Sequence, residues 1–407
     1  MSKNLHKDVE RILRYDRSLV IAANKKINEY WSKIRANLGF TKLKIMDFCG
    51  THEWVITHYG IRTLLPREIE LVAGPGCPVC VTPSHYIEEL IKLALNGIVI
   101  YTYGDTYRLR TTKSVSNVFS LSEARSLGGD IRVVSDIISA IKDANKHNKP
   151  SIFVGVGFET AAPGYAQALL KSHLPSHLKL ISLVKLTPPA MLYTLSALKN
   201  DSKGFPIMGI IAPGHVSTIT GAKAWESVSK KCGIPVVVSG FEPLDVLVSI
   251  LEILRQLVKG EAKTVVEYVR SVSWQGDARA QANIAKVFEV VDDAWRGIGL
   301  IPDSGLRIRK EFSEHDAFIE YSIRDLVAYD AKNDLSPGCR CGDVILGKIY
   351  PSQCPLFLRL CNPQRPVGPC MVSSEGTCAI WAKYGSRELL TKLADELNEN
   401  FVNGGGV

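Results

Sequence analysis

Along the chain, short runs of Val, Ile and Leu alternate with stretches whose apolar residues recur at helical intervals, the pattern of repeated βα units. Eight runs predict strands: Leu43–Phe48, Glu70–Ala73, Gly97–Tyr103 and Ile131–Ser135, then Ser151–Val156, Leu178–Val184, Ile207–Ala212 and Pro235–Ser239. Most begin about 27 to 29 residues after the one before, the length of a strand, a crossover helix and a parallel return. Near-continuous runs such as Ile98-Val-Ile100 and Val236-Val-Val238 predict strands covered by helices on both faces. Residues 5–38 are charged, with Val9, Ile12, Leu13 and Val20 at helical spacing, and predict one or two amphipathic helices. Beyond the apolar stretch Val246–Val258, two more helices are expected near 261–271 and 278–289. From about Asp292 the periodicity fades and Gly, Pro and Cys accumulate.

The two sets of four strands look like a duplicated lobe. The expected fold class is α/β: two similar parallel-sheet lobes, a loop-rich cysteine-rich iron–sulfur region and N-terminal helices. Helices over 1–40 pack on the C-terminal region, the lobes span 41–148 and 149–260, and a helical, cysteine-rich domain spans 261–407. Length agrees, since 407 residues exceed one compact core. A chain 46% hydrophobic and 22% charged is globular rather than disordered. No apolar run approaches the roughly 18 residues that span a bilayer, and the polar segment Met1–Asp8 lacks an apolar secretory core. A cytoplasmic, non-membrane protein is therefore expected. The net charge of +8 is spread along the chain, which argues against nucleic acid and for a mild attraction to acidic partners.

Ten cysteines change the picture, because a reducing cytosol disfavours a disulfide framework and raises metal ligation or redox chemistry. In parallel sheets, ligands bind where the carboxyl ends of strands meet their loops. Those ends read Cys49-Gly-Thr-His-Glu53, Gly74-Pro-Gly-Cys-Pro-Val-Cys80 and Tyr103-Gly-Asp105 in the first set. In the second they read Gly157-Phe-Glu-Thr160, Thr187-Pro-Pro189, Pro213-Gly-His215 and Gly240-Phe-Glu-Pro243. Cys77 and Cys80 form a Cys-x-x-Cys pair before a helix over Ser84–Leu95, with Thr82 or Ser84 as its cap. Redox-active or iron-binding thiols fit that loop better than structural zinc, which needs a second ligand pair. Cys49 would meet the positive end of a following helix, which favours a thiolate nucleophile or soft metal ligand. His52 and Glu53 would act as ligand, base or support; the plainer alternative is a buried thiol beside a capping Thr51.

Six cysteines fall in the last seventy residues. Cys341, Cys354, Cys361 and Cys378 are separated by 12, 6 and 16 residues, with Gly or Pro close to each. Four thiolates on irregular backbone suit a cubane cluster, and the lack of any histidine after His315 favours iron–sulfur over zinc. Cys339 and Cys370 remain as a redox pair or spectators, and Cys232 as an inert thiol. The glycines of Gly155-Val-Gly157 make no dinucleotide fingerprint, and no Walker motif is present.

The compound motifs resemble the HypD family of hydrogenase maturation factors. They include Met46-Asp-Phe-Cys-Gly-Thr-His-Glu53, Gly74-Pro-Gly-Cys-Pro-Val-Cys-Val-Thr-Pro83, Gly157-Phe-Glu-Thr160, Ala212-Pro-Gly-His-Val-Ser217 and Gly240-Phe-Glu-Pro-Leu-Asp245. Trp295-Arg-Gly297, Cys341-Gly-Asp-Val344, Gln353-Cys-Pro-Leu-Phe357 and Ser373-Ser-Glu-Gly-Thr-Cys378 follow in the same order, over about residues 40–385. Thr106-Tyr-Arg-Leu-Arg110 departs from the family's usual Arg-Val-Pro-Gly run, and Leu183-Val-Lys-Leu186 from a polar, often His-containing stretch. The resemblance implies a scaffold for the Fe(CN)2CO unit of [NiFe]-hydrogenase, a metallocentre-assembly protein with redox activity rather than a conventional enzyme. It implies a HypC-like chaperone that delivers iron, a HypE-like cyanide donor, and a chain monomeric by itself. Cys49 would hold the transient iron near His52 and Glu53. Cys77 and Cys80 would exchange between dithiol and disulfide, and Cys341, Cys354, Cys361 and Cys378 would hold a [4Fe–4S] cluster. The competing expectations are a stand-alone iron–sulfur thiol–disulfide oxidoreductase and a structural zinc adaptor.

Overall fold

The computed structural model describes residues 16–171, 173–199 and 206–385. The part of the expected N-terminal helices over 5–15 lies outside the described residues. Every strand expected from the apolar runs is present: β1 Leu43–Asp47, β2 Ile69–Ala73, β3 Val99–Thr102, β4 Ile131–Val133, β5 Ser151–Gly157, β6 Leu178–Lys185, β7 Ile207–Pro213 and β8 Val236–Ser239. Three further strands follow, β9 Thr264–Val266, β10 Phe288–Trp295 and β11 Gly299–Ile308.

The strands form two sheets, ordered β2-β1-β7-β8-β9 and β10-β11-β6-β5-β3-β4. The first is parallel throughout, and the second is parallel except where β11 joins β10 and β6. The expected split at residue 148 does not describe these sheets. β1 pairs with β7, Met46 opposite Ile210, and β3 pairs with β5, Tyr101 opposite Phe153. A βα period specifies a parallel crossover but not which sheet edge receives the returning strand. Interleaving leaves Ile45, Val99, Ile152 and Ile210 fully buried, as their unbroken apolar runs require.

The N-terminal helix Arg17–Leu38 starts at Asp16, whose carboxylate accepts from the Ser18 and Leu19 amides, and ends at a left-handed Gly39. Its stripe of Ala23, Ile27, Trp31 and Ile34 is buried with Ile250, Ile253 and Leu254 of helix Pro243–Lys259 in one apolar cluster. It therefore packs on the first sheet's helical layer, not on the C-terminal region as expected. An apolar stripe records that a helix packs, and not against what.

Two further expectations change. The stretch expected as a helix near 261–271 contains the edge strand β9 and a turn. The region after Asp292 is not all loop, because β10 and β11 form a hairpin that extends the second sheet. Lys185 anchors it: its buried ammonium lies 2.6 Å from Asp293 and donates to the Ala294 carbonyl at 2.8 Å. Arg307 pairs with the same Asp293 and with Asp325. Burial lowers the Lys185 pKa to about 8, against the pull of Asp293. Short helices Cys341–Ile345, Pro369–Val372 and Thr377–Tyr384, joined by loops, carry the remaining cysteines. No helix of the described residues is long and apolar enough to cross a membrane.

Candidate functional site

β1 delivers Phe48 and Cys49 to its carboxyl end, and Cys49 occupies the N-cap position of helix Gly50–His58. The loop after β2 lies directly against it. The Gly50 amide donates to the Gly76 carbonyl (3.0 Å), and the Gly74 amide to that of Asp47 (2.6 Å). A Cβ on Gly76 would stand 2.5 Å from the Cys49 nitrogen, so only glycine allows this approach. Cys77 and Cys80 form a disulfide in that loop. Cys49, Cys77 and Cys80 then line one narrow cavity of about 10 Å³, room for about a single water. Asp47 and Glu53 line it from the first sheet, and Glu375 and Thr377 from the cysteine-rich region.

The helix beyond the disulfide is not capped by Thr82 or Ser84. Pro83 takes the N-cap position, and the Ser84 amide donates to both carboxylate oxygens of Asp334 (3.2 and 3.1 Å). Arg296, buried in the Trp295-Arg-Gly297 motif, clamps the same loop. Its amide donates to the Val81 carbonyl and its guanidinium to the carbonyls of Asp334 and Arg110. Gly297 and Gly342 then pack back to back: a Cβ on Gly342 would lie 2.4 Å from the Gly297 oxygen, which seats Cys341 against the hairpin turn.

Helix-end stabilisation of a Cys49 thiolate was expected, but burial outweighs it. Burial pushes the Cys49 pKa up to about 12, although hydrogen bonds from the His52 and Thr51 amides pull it down. The resting group is therefore a thiol. His52 does not face that sulfur. Its Nε2–H donates to the Gly240 carbonyl (2.9 Å) while its ring stacks on Phe241 (4.9 Å between centroids), and burial drops its pKa to about 4. The imidazole beside Cys49 is His215, from the end of β7, with Nδ1 3.9 Å from Sγ and its ring also stacked on Phe241. Burial lowers the His215 pKa, opposed by Glu375 and Glu159. Glu53 is committed elsewhere: it accepts from Thr57 (2.9 Å), Arg62 (2.7 Å) and the Trp381 indole (2.6 Å). His215 was signalled by its strand-end position and by the Ala212–Ser217 motif. Glu375 was visible only as part of the Ser373–Cys378 motif.

The six thiols of the last region share one neighbourhood. The Sγ atoms of Cys339 and Cys341 are 3.3 Å apart, and Cys341 also exchanges hydrogen bonds with Cys370 and Cys378. Cys361 accepts the Val367 amide (3.3 Å) and feels Cys339 and Cys354 electrostatically. The hydrogen bond with Cys341 holds Cys339 down at about 7, whereas Cys341 itself and the buried Cys370 and Cys378 are pushed well up. This all-sulfur donor set fits an iron–sulfur cluster. Cys339 and Cys370 lie in the same group as Cys341 and Cys378. Among the described residues, no three His, Cys, Asp or Glu side chains are grouped as a ready metal-ion site.

Comparison with known proteins adds a direct line. The HypD profile, described as the hydrogenase formation hypA family, matches residues 25–385. A Methanocaldococcus jannaschii protein named for hydrogenase expression and formation is 42% identical over 372 residues, covering 91% of this chain and 98% of that one. The hydrogenase maturation factor HypD of Cupriavidus necator is 38% identical over 350 residues, covering 84% and 90%. That of Escherichia coli is 35% identical over 358 residues, covering 85% and 90%.

Proposed function

Because the chain belongs to the HypD family of hydrogenase maturation factors, we propose that it is the scaffold on which the Fe(CN)2CO unit of [NiFe]-hydrogenase is assembled. It works in the cytoplasm with a HypC-like chaperone that brings iron and a HypE-like partner that supplies cyanide. The observation that supports this reading is the single cavity onto which Cys49 and the Cys77–Cys80 disulfide both open.

Cys49 binds the iron substrate. Soft low-spin iron replaces the thiol proton, and the Thr51 and His52 amides already aimed at the sulfur stabilise the resulting thiolate. His215, 3.9 Å away, is the base that receives the displaced proton. His52 acts at one remove: its bond to Gly240 fixes the helix carrying Cys49 and its ring holds Phe241 beneath His215. Cys77 and Cys80 store reducing equivalents: two electrons and two protons convert their disulfide to two thiols, and oxidation returns them. Four cysteines, taken as Cys341, Cys354, Cys361 and Cys378, hold a [4Fe–4S] cluster, which supplies one-electron transfer when bound. Thr377 lines the cavity and precedes Cys378 in the chain, so thiol-rich region and cavity share a wall. A stand-alone oxidoreductase would use the dithiol and leave Cys49 without a task.

Infrared spectroscopy of the protein copurified with its chaperone tests the reading. CO and cyanide bands are expected from wild type and absent from Cys49→Ala, with the fold intact by circular dichroism. Bands of full strength in Cys49→Ala would place the iron elsewhere.

A further inference from the structure

A second, much larger cavity opens outside this site. The segment around Arg108–Glu123 faces Ser336, Pro337 and residues 364–367 across a space of about 630 Å³. Three guanidiniums line it, and they differ in how they are used. Arg110 is neutralised by Glu123 and stacks on Phe119, 5.1 Å from the ring centroid. Arg108 is exposed and makes one long bond, 3.5 Å, to the Pro363 carbonyl. Arg365 is exposed and has no polar side-chain partner among the described residues. Two positive charges from separate segments therefore stand uncompensated over one opening.

The cavity lies one residue from the sulfurs. Val367 forms part of its wall while its amide donates to Cys361 Sγ, and the next residue, Gly368, packs against the sulfurs of Cys339 and Cys341. The arginine segment is tied both to the thiol-bearing region and to the turn of the β10–β11 hairpin. Asp105 accepts from the Ser373 hydroxyl and from the amide and hydroxyl of Ser374, and Arg296 donates to the Arg110 carbonyl. In the neighbouring loop between Cys354 and Cys361, Leu358 and Leu360 are 54% and 64% exposed. Leu358 is held at φ +55°, a conformation a leucine adopts only under constraint. Arg108-Leu-Arg110 also falls in the stretch where this sequence departs from the usual pattern of its family, and nothing in the assembly reading above uses it.

We propose that this cavity and its rim are the docking surface for an acidic one-electron carrier protein. The inference rests on the reading of the neighbouring thiols as iron–sulfur ligands. One electron would pass from the carrier's reduced centre to a cluster held by these cysteines, with no bond made or broken. The chain's net charge of +8 attracts such a partner at long range, the free arginines orient it, and exposed leucines supply apolar contact. Encounters of redox partners are characteristically small and weak, which suits a few charges and two leucines better than a deep interface. A free phosphate-sized ion fits less well, because the space far exceeds it and the two guanidiniums without a carboxylate partner come from separate segments.

The test uses the full-length protein, anaerobically purified, with a reduced acidic [2Fe–2S] ferredoxin as probe and Arg108→Glu/Arg365→Glu as the variant. Ferredoxin binding at low ionic strength, followed by titration calorimetry, should weaken on the order of tenfold in the variant, and its salt dependence should flatten. The rate of cluster bleaching by ferredoxin should fall in parallel, while bleaching by dithionite, which needs no docking, stays unchanged. Equal ferredoxin affinity and salt dependence in wild type and variant would overturn the docking surface. So would inorganic phosphate binding that the variant abolishes while ferredoxin binds neither protein, since the cavity would then be a small-anion site. Absence of any dithionite-bleachable absorbance in wild type would instead overturn the iron–sulfur reading; ferredoxin binding, measured separately, still decides the surface.

Discussion

Replacing Glu53 should loosen the seat between the cysteine-rich region and the Cys49 helix. Its side chain is 1% exposed and receives three donors from three places: Thr57 on its own helix, Arg62 on the following turn, and Trp381 on helix Thr377–Tyr384. Glu53→Ala removes the charge opposite the Arg62 guanidinium, which is only 12% exposed and keeps its bonds to the Leu71 carbonyl and Thr57 hydroxyl, and it takes the acceptor from the Trp381 indole N–H. Removing one partner of a buried pair costs about 3–5 kcal/mol, and partial water access to Arg62 favours the lower end. Glu53→Gln retains an oxygen for Thr57 and Trp381 and loses the charge opposite Arg62, a cost of about 1–2 kcal/mol. That loss is offset in part beneath it, where Asp47 is buried and pushed well up, first by burial and next by the Glu53 charge. Urea unfolding followed by tryptophan fluorescence gives the two values, provided the slopes match wild type. Hydrogen exchange should show faster opening of residues 377–384 in Glu53→Ala and near-native protection in Glu53→Gln. An alanine variant within 1 kcal/mol of wild type, or Gln as damaging as Ala, would refute the argument.

Gly76→Ala should force the disulfide loop off Cys49, because the new methyl meets backbone rather than a movable side chain; a destabilisation of about 1–3 kcal/mol and altered alkylation of Cys49 in denaturant-free buffer are the readouts. Burial raises the Glu159 pKa from 4.5 to about 7, so the folded protein holds an extra proton between those values and loses stability as pH rises through them. Glu159→Gln, whose oxygen can still accept from the Thr187 amide, should gain about 3 kcal/mol on wild type between pH ~4 and pH ~8; parallel pH profiles would contradict this. Lys185→Ala leaves Asp293 in the core with Arg307 alone and should cost about 3–5 kcal/mol. Lys185→Met/Asp293→Leu should recover part of that by removing both charges, with thermal unfolding as the measure.

The strand positions were legible because buried parallel strands are written as near-continuous Val/Ile runs bounded by Gly and Pro. Their order was not, since one crossover length serves either sheet. The hairpin was hidden because β10 carries Glu289, Asp292 and Asp293; the first two face solvent, and only in space is the buried Asp293 answered by Lys185 and Arg307. At the site, Cys49, Cys77 and Cys80 were legible as strand-end thiols. His52 was chosen for its closeness in sequence, yet the imidazole next to Cys49 comes from His215, 166 residues away, because strand β7 pairs directly with β1. Asp334, which caps the helix after the disulfide, is 250 residues from its partner and carries no local signature.

The interleaved strand order also bears on how the chain is made. β1 and β2 leave the ribosome early, but the other neighbour of β1, strand β7, begins only at Ile207 and the edge strand β9 at Thr264. More than a hundred residues, forming four strands of the other sheet, must be synthesised in between. Until β7 arrives, β1 has an open edge and the Cys49 loop lacks His215 as a neighbour. Such long-range pairing slows folding and prolongs exposure of unpaired edges. Release of residues 1–150 alone would give no folded half, and a nascent chain halted there should bind a holdase. The thiol of Cys49 is thus enclosed only when nearly the whole polypeptide exists, so a stalled chain exposes that cysteine before its cavity has formed.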